Sequence, residues 1–403
     1  MVKMSRYLWL AGSLLLSLVI GARADFSSAA KNISNSANHS IRPQVVRVPG
    51  TSHVYVCWLE TDGSYDFLYF RKSIDGGTTW NTPSLLTYSG EIKGDGIWYN
   101  CLSMAVEEPY VHIVFQFRPT SSDDWEIVYA RSPDLGENIL NWEFTSLTDN
   151  DTNSYTPDVA VSGGYVHVTY VDEWPGNAEI MYKRIADHGA GAVDKTRRLT
   201  FSSTTSWWPR IAARPSGPCV NIVYVEGWVD VDYSNIFYKH IDGYGSGAYT
   251  TAQLTFGTNY NELPDIAVSS GADEQYVYVV YQAYWPGNWE IMYKRLDNYG
   301  HSPFNTYTAR LTYSSTNSTK PAVDFDSVNN NVHISYEDEW TLNLDVMYRK
   351  MTSYGGGGFT GQRVSWGVGS SHDARVSADG TSAYIVWSDS TSGNFEILIK
   401  KGS

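Results

Sequence analysis

Carboxylates and indoles recur at a fixed place along this chain. Counting from seven aromatic residues, Trp58, Phe115, Tyr170, Tyr224, Tyr281, Tyr336 and Trp387, the position two further on holds Glu60, Phe117, Asp172, Glu226, Ala283, Asp338 and Asp389. Two residues beyond that stand Asp62, Pro119, Trp174, Trp228, Trp285, Trp340 and Thr391. Most of the first set are acidic, and four consecutive members of the second are tryptophan. Sugars ask for this pairing, because the apolar face of a pyranose stacks on an aromatic ring while its hydroxyls donate to carboxylates and amide oxygens. Asn177 and Asn288 supply amides nearby, and Tyr155, Trp207, Trp208 and Tyr260 supply further rings. The same residues have a structural use, with the indoles as wedges between packed units and the acids as turn caps, above all in Trp174-Pro-Gly-Asn177. Acid/base chemistry is a further option. Asp172/Glu173, Glu226 and Glu337/Asp338/Glu339 are carboxylates enough for a glycosidic pair at either separation, with Glu226 and Glu339 the candidates.

These columns exist because one segment is written seven times. Pro157-Asp-Val-Ala-Val, Val166-His-Val-Thr-Tyr and Glu179-Ile-Met-Tyr-Lys-Arg return almost unchanged between Pro264 and Arg295, and weaker copies start at Pro43, Leu102, Pro209, Pro321 and Ala374. Successive starts lie 59, 55, 52, 55, 57 and 53 residues apart, a spacing expected when insertions are confined to loops. Inside each copy the period is two: Val166, Val168 and Tyr170 alternate with His167 and Thr169, as in strands packed between neighbouring sheets. Arg198-Leu-Thr-Phe, Gln253-Leu-Thr-Phe and Arg310-Leu-Thr-Tyr supply a fourth strand. The chain is therefore predicted to be all-β, a seven-bladed β-propeller of four-stranded antiparallel blades. The seventh copy stops at its third strand, so a segment near 28–34 is expected to complete it and close the ring. His112, His167 and His333 fall in mid-strand and read as structural.

Lys3 and Arg6 precede an apolar run from Leu8 to Ile20 and then Ala22-Arg23-Ala24, the pattern of a signal peptide over 1–24. The remainder, 25–403, reads as one propeller domain, exported to the extracellular space or a periplasm, without membrane insertion and monomeric. Removing 1–24 takes away three of the 29 basic residues and none of the 43 acidic ones, leaving 26 against 43, a net charge of −17. Nucleic acid and anionic membranes are excluded as partners on that ground. Cys57, Cys101 and Cys219 admit at most one internal disulfide, Cys57 with Cys101, or act as three small buried hydrophobes. Cys/His spacing of metal type is absent, so no metal and no cofactor are expected. The oxygen-rich Asp230-Val-Asp-Tyr-Ser-Asn235 is the one candidate for structural calcium.

Ser73-Ile-Asp-Gly-Gly-Thr-Thr-Trp80 resembles the Asp-box of the bacterial neuraminidase repeat proteins, and Ser132-Pro-Asp-Leu-Gly136 resembles a decayed copy. In such a box Asp accepts backbone hydrogens in a tight turn, Gly takes the positive φ and Trp packs beneath. The resemblance, to the sialidase-like β-propeller superfamily, implies a propeller fold. It also directs attention to a carboxylate-binding arginine clamp, for which Arg42, Arg210 and Arg375 are the candidates. Asp158 and Asp265 flank Arg210 in the same column, so a ring of satisfied salt bridges accounts for these arginines equally well. Sialidases usually have six blades, and seven copies depart from that. The residues together point to a protein that binds carbohydrate or a glycoconjugate through Trp174, Trp228, Trp285, Trp340, Asp172 and Asp338. A sialidase-type exo-glycosidase using the same face is the alternative, and a protein-interaction scaffold the third.

Overall fold

The computed structural model describes residues 26–402 except 64, 87–90, 93–100, 121, 175, 215–216, 228–232, 271–275, 286, 298–301, 341–342 and 381. Seven antiparallel blades stand around an axis, numbered here 1 to 7 in chain order. Blade 3 shows the plan: Ser154–Ser162 lies innermost, followed outward by Tyr165–Asp172, Glu179–Ile185 and Val193–Arg198. Blades 4, 5 and 6 repeat it, with innermost strands Ser206–Ala213, Asn261–Val268 and Ser318–Asp326. Blades 1 and 2, starting with His39–Arg47 and Leu102–Glu107, are joined into one sheet by the two-residue strand Glu91–Ile92. The two helical segments among the described residues are single 3-10 turns, Ile139–Asn141 and Asp187–Gly189.

Blade 7 (Ser371–Asp379, Ser382–Asp389, Glu396–Gly402) takes its outer strand from the other end of the chain. Lys31 pairs with Ile399 and Asn32 with Leu398, and the Ile33 amide donates to the Ile397 carbonyl at 2.9 Å. Closure therefore falls inside the expected window 28–34. Residues 1–25, with the expected signal peptide, lie outside the described residues.

The apolar core is distributed between blades. Alternation puts one face of each strand against the preceding blade and the other against the next. Separate clusters thus form at the seams, such as Val54, Val56, Trp58, Tyr384 and Ile397 between blades 1 and 7, and Val114, Tyr129, Val166 and Tyr170 between blades 2 and 3. Carboxylates also stitch the innermost strands of neighbouring blades together. Asp158 accepts from the Ile211 amide at 2.7 Å, Asp265 from Val323 at 2.9 Å and Asp324 from Ala378 at 2.8 Å.

One device recurs at the start of the innermost strands. Arg42, Thr156, Trp208, Leu263, Lys320 and Asp373 all have φ between 46° and 56°, and the ladder shifts register there in each case. Left-handed backbone in non-glycine residues is costly and is held only by surrounding structure. The bulge directs this position toward the axis, where Leu263, Lys320 and Asp373 line the mouth of the central channel.

Candidate functional site

The three candidate arginines do gather at the axis, but in two layers and already engaged. Nearer the mouth, Arg42 Nη1 lies 3.0 Å from Asp373 Oδ1; Lys320 Nζ lies 3.0 Å from the same oxygen and 3.2 Å from Glu337 Oε1. One layer down, Arg210 Nε lies 2.9 Å from Asp265 Oδ1 and its Nη1 3.4 Å from Asp158 Oδ1. Arg375 sits in that layer and donates to the Ala374 carbonyl at 3.2 Å. Burial alone would lower the Arg210 pKa, yet Asp158 and Asp265 outweigh it and hold the group above its ordinary value. Burial likewise works against ionisation of Asp373, and Arg42 and Lys320 overcome it, leaving that carboxyl well below the usual range.

Space at the mouth is small. The chamber bounded by Arg210, Asp265, Lys320, Asp373 and Arg375 has a volume of about 20 Å³, roughly the room of one water. Beneath it a wider chamber of about 320 Å³ runs along the innermost strands toward Arg47, Ala213 and Ser327 at their far ends. The pairing of Arg210 with Asp158 and Asp265 is the salt-bridge ring rather than an open clamp. Glu226 and Glu339 do not line either chamber. Glu226 is half-buried, its carboxyl raised by burial and by Glu179 against the pull of Lys239; Glu339 accepts from Asn317 Nδ2 at 3.0 Å.

The second face of interest is the outer rim of the loop-rich end. Asp172 and Asp338 are buried. Asp172 accepts from the Trp174 amide at 2.7 Å and from Asn150 Nδ2 at 3.1 Å, and Asp338 from Ser318 Oγ at 2.7 Å. These carboxylates cap the turn that carries the indole, as an Asx turn does. Asn177 and Asn288 also point inward, tying the loop to the next inter-blade connection through the carbonyls of Thr204 and Thr316. Tyr155, Trp207 and Trp208 are buried. Of the expected aromatic face, then, Trp174, Trp285 and Trp340 stand out into solvent; Trp228 lies outside the described residues, as do positions 230–232 of the expected calcium segment.

A second set of rings was not anticipated. Three residues past the ends of the fourth strands (Val193–Arg198, Tyr249–Gln253, Ser302–Arg310, Phe359–Arg363) stand Phe201, Phe256, Tyr313 and Trp366, one each on blades 3 to 6, at the same end of the propeller as the indole loops. Together with Trp174, Trp285 and Trp340 these rings are between 52% and 73% exposed. Three of the strand-side rings share one support. Arg198, Arg310 and Arg363 lie 4.4, 4.5 and 4.6 Å from the centroids of Phe201, Tyr313 and Trp366. The same guanidinium groups pair with the buried carboxylates of Glu179, Glu290 and Asp345 at 2.9, 2.6 and 2.8 Å. Arg310 also faces Trp285, at 5.5 Å, so on blade 5 one guanidinium lies between two exposed rings. Blade 4 has the neutral version, Gln253, whose Nε2 donates to the Thr255 carbonyl at 2.8 Å just as the arginine Nε atoms do at Thr200, Thr312 and Ser365. The signal was present in the recurrent Leu-Thr-aromatic words; they were expected to be the fourth strand, but that strand lies earlier and ends at Arg198, Gln253 and Arg310, so the words run past it to an unburied ring.

The Asp75 turn has the geometry expected of it: Asp75 accepts from the Thr79 amide and hydroxyl at 2.8 and 2.6 Å, and Gly76 and Gly77 have φ of 69° and 79°. Hydrogen bonds from Thr79 and Ser73 bring its carboxyl down to about 2. The Ser132–Gly136 turn keeps the same serine contacts, with Ser132 Oγ 2.7 Å from Asp134 and 2.9 Å from the Gly136 amide. His112, His167 and His333 are buried, each against a tyrosine hydroxyl, of Tyr129, Tyr182 and Tyr348, at 2.7 to 2.8 Å. All three cysteines are free thiols.

No family model matches this chain, and no curated protein does. Solved structures do. The chain superposes on a polysaccharide lyase, Uly1, with a TM-score of 0.58 and 9% identity, covering 91% of this chain and 90% of that one. It superposes on a mutant sialidase of Trypanosoma rangeli displaying trans-sialidase activity with a TM-score of 0.51 and 10% identity, covering 92% of this chain and 56% of that one. At such identity the likeness shows the fold alone, a β-propeller, here of seven blades.

Proposed function

We propose that this protein is an exported carbohydrate-binding propeller that holds a glycan chain along the outer rim of its loop-rich end, across blades 3 to 6. The observation that carries this reading is the repeated exposure of rings that blade packing does not need: Trp174, Trp285 and Trp340 on the loops, Phe201, Phe256, Tyr313 and Trp366 just past the fourth strands. Carboxylate-capped turns fix Trp174 and Trp340, and buried ion pairs fix the guanidinium groups beside Phe201, Tyr313 and Trp366, so little side-chain freedom is lost on binding there. Pyranoses stack on such platforms, and equivalent platforms on consecutive blades suit a ligand that itself repeats, where linked weak contacts add up to useful affinity. The solved neighbours act on polysaccharide and sialoside, which agrees with a carbohydrate role. Asp172 and Asp338 enter as positioners of the indoles.

The test is a glycan array followed by titration of the best polysaccharide against Trp174→Ala, Trp285→Ala and Trp340→Ala. Each exposed ring is expected to contribute about 1 kcal/mol, a loss of roughly five- to tenfold in affinity per substitution, with the melting temperature nearly unchanged. Affinity that survives all three changes together would remove the rim from consideration. Release of reporter from sialyl or aryl glycosides, abolished by Arg42→Ala or Arg375→Ala, would move the function to the axis instead.

A further inference from the structure

Blade 4 breaks the pattern of its neighbours at the end opposite the aromatic rim. In blades 2, 3 and 5 a tyrosine opens or immediately precedes the second strand, Tyr110, Tyr165 or Tyr276, and lies under a third-strand guanidinium, Arg131, Arg184 or Arg295, at 4.8, 4.1 and 4.3 Å. In blade 4 those two positions are Cys219 and His240. The mid-strand imidazole of blades 2, 3 and 6 is replaced at the same time by Asn221. The imidazole has in effect moved from the second strand to the third, next to the turn that begins with Asp242. One donor atom from each of Cys219, His240 and Asp242 falls within 4.8 Å of the others.

Hydrogen bonds settle which ring nitrogen faces this group. Asn221 Oδ1 accepts from Tyr238 Oη at 2.6 Å and meets His240 Nδ1 at 3.0 Å, while Asn221 Nδ2 donates to the Ala212 carbonyl at 3.4 Å. The amide orientation assigned by that last contact makes Nδ1 the protonated nitrogen. His240 Nε2 then directs a lone pair at Asp242 Oδ1, 3.1 Å away. A lone pair facing a carboxylate oxygen is stable only with a cation between them, a proton or a metal ion. A proton would complete an imidazolium–carboxylate pair; a metal ion would engage the Cys219 sulfur as well. Fixing of one imidazole nitrogen by an oxygen acceptor so that the other is presented to an ion is the usual outer-shell arrangement of histidine ligands.

We propose that Cys219, His240 and Asp242 bind a divalent transition-metal ion of the zinc type, with a water or an external ligand in the fourth position. One soft, one borderline and one hard donor suit that ion, and thiolate plus carboxylate cancel its charge. On binding, the Cys219 S–H bond breaks, the sulfur keeps the electron pair and donates it to the ion, and the proton passes to bulk water; His240 and Asp242 each give a lone pair, and no oxidation state changes. Linear Cys/His spacing gives no hint of the site, because its members come from two turns and a strand that only the blade brings together.

The experiment uses the full mature chain, stripped with chelator and titrated with Zn²⁺ by calorimetry and with Co²⁺ by absorption. One ion per chain is expected, with release of about one proton, a thiolate-to-cobalt charge-transfer band and a higher melting temperature with Zn²⁺. Cys219→Ser is expected to abolish the band, and the exposed Asp242→Asn to keep it while weakening Zn²⁺ binding about tenfold or more. His240→Gln, at a buried position, is judged only if its far-ultraviolet spectrum is unchanged; Asp242→Asn carries no such risk. Absence of Zn²⁺ binding, a band that survives Cys219→Ser, or affinity indifferent to both Cys219→Ser and Asp242→Asn would overturn the proposal.

Discussion

His112, His167 and His333 lie buried in the middle of second strands, and burial above all pushes their pKa values down, to about 3, 3 and 4. In the unfolded chain each titrates near 6.5. The folded protein therefore binds fewer protons than the unfolded one over that interval. The contribution is present in full above about pH 6.5 and is lost as pH falls toward the folded values, at about 1.4 kcal/mol per pH unit for each imidazole. Asp324, raised to about 6 by burial, works with the opposite sign, so a comparison of variants isolates the effect. His167→Gln, which keeps hydrogen bonding to Tyr182 and Ser162 within reach, is expected to flatten the stability slope between pH 4 and 6 by about 1.4 kcal/mol per unit. Parallel urea-denaturation profiles would count against a neutral buried imidazole. At the axis, Arg210→Met would leave Asp158 and Asp265 buried without their common cation, a loss of about 3–5 kcal/mol measurable by denaturant titration.

Within a blade, the loop between second and third strands works as a holder. Asp172 accepts from the Trp174 amide and from Asn150, so the indole stands out because the acid turns in. Asp172→Ala is expected to cost about 1 kcal/mol of stability, as loss of a capping acceptor does, and to weaken glycan binding beyond that by freeing Trp174. Binding that is unaffected in a folded Asp172→Ala chain would show that the indole needs no holder. The fourth strand behaves in the same manner: its arginine is fixed by a buried acid and in turn supports an exposed ring. Phe256→Ala, on the blade whose support is neutral, should change stability by less than about 0.5 kcal/mol.

The ring is one body because its first residues belong to its last blade. Phe26 and Ile33 are buried, Lys31 Nζ donates to the carbonyls of Gly77 and Thr78 at 2.7 Å, and Tyr384 Oη donates to the Gly76 carbonyl at 3.0 Å. The Asp75 turn of blade 1 is thus the seat of the closing strand. Deletion of 26–34 would expose the edge of Glu396–Gly402 and the seam of blades 1 and 7. A fall in melting temperature and loss of a single cooperative transition are expected by calorimetry, whereas an unchanged transition would mean the ring holds without closure.

The repeat, its period of two and the unfinished seventh copy were legible along the chain, because strand alternation and turn residues are local properties. Direction was not legible. Asp172 and Trp174 are two residues apart, and only the packed blade decided that one is buried and the other exposed. Arg210 became a structural ion pair because neighbouring blades carry Asp158 and Asp265 to it. Phe201, Phe256 and Tyr313 read as strand residues along the chain, and only the structure ended the fourth strands three residues earlier and left these rings uncovered. Cys219, His240 and Asp242 have no telling spacing; they meet because antiparallel pairing folds two turns against one strand, and distance in space is a property that chain position alone does not contain.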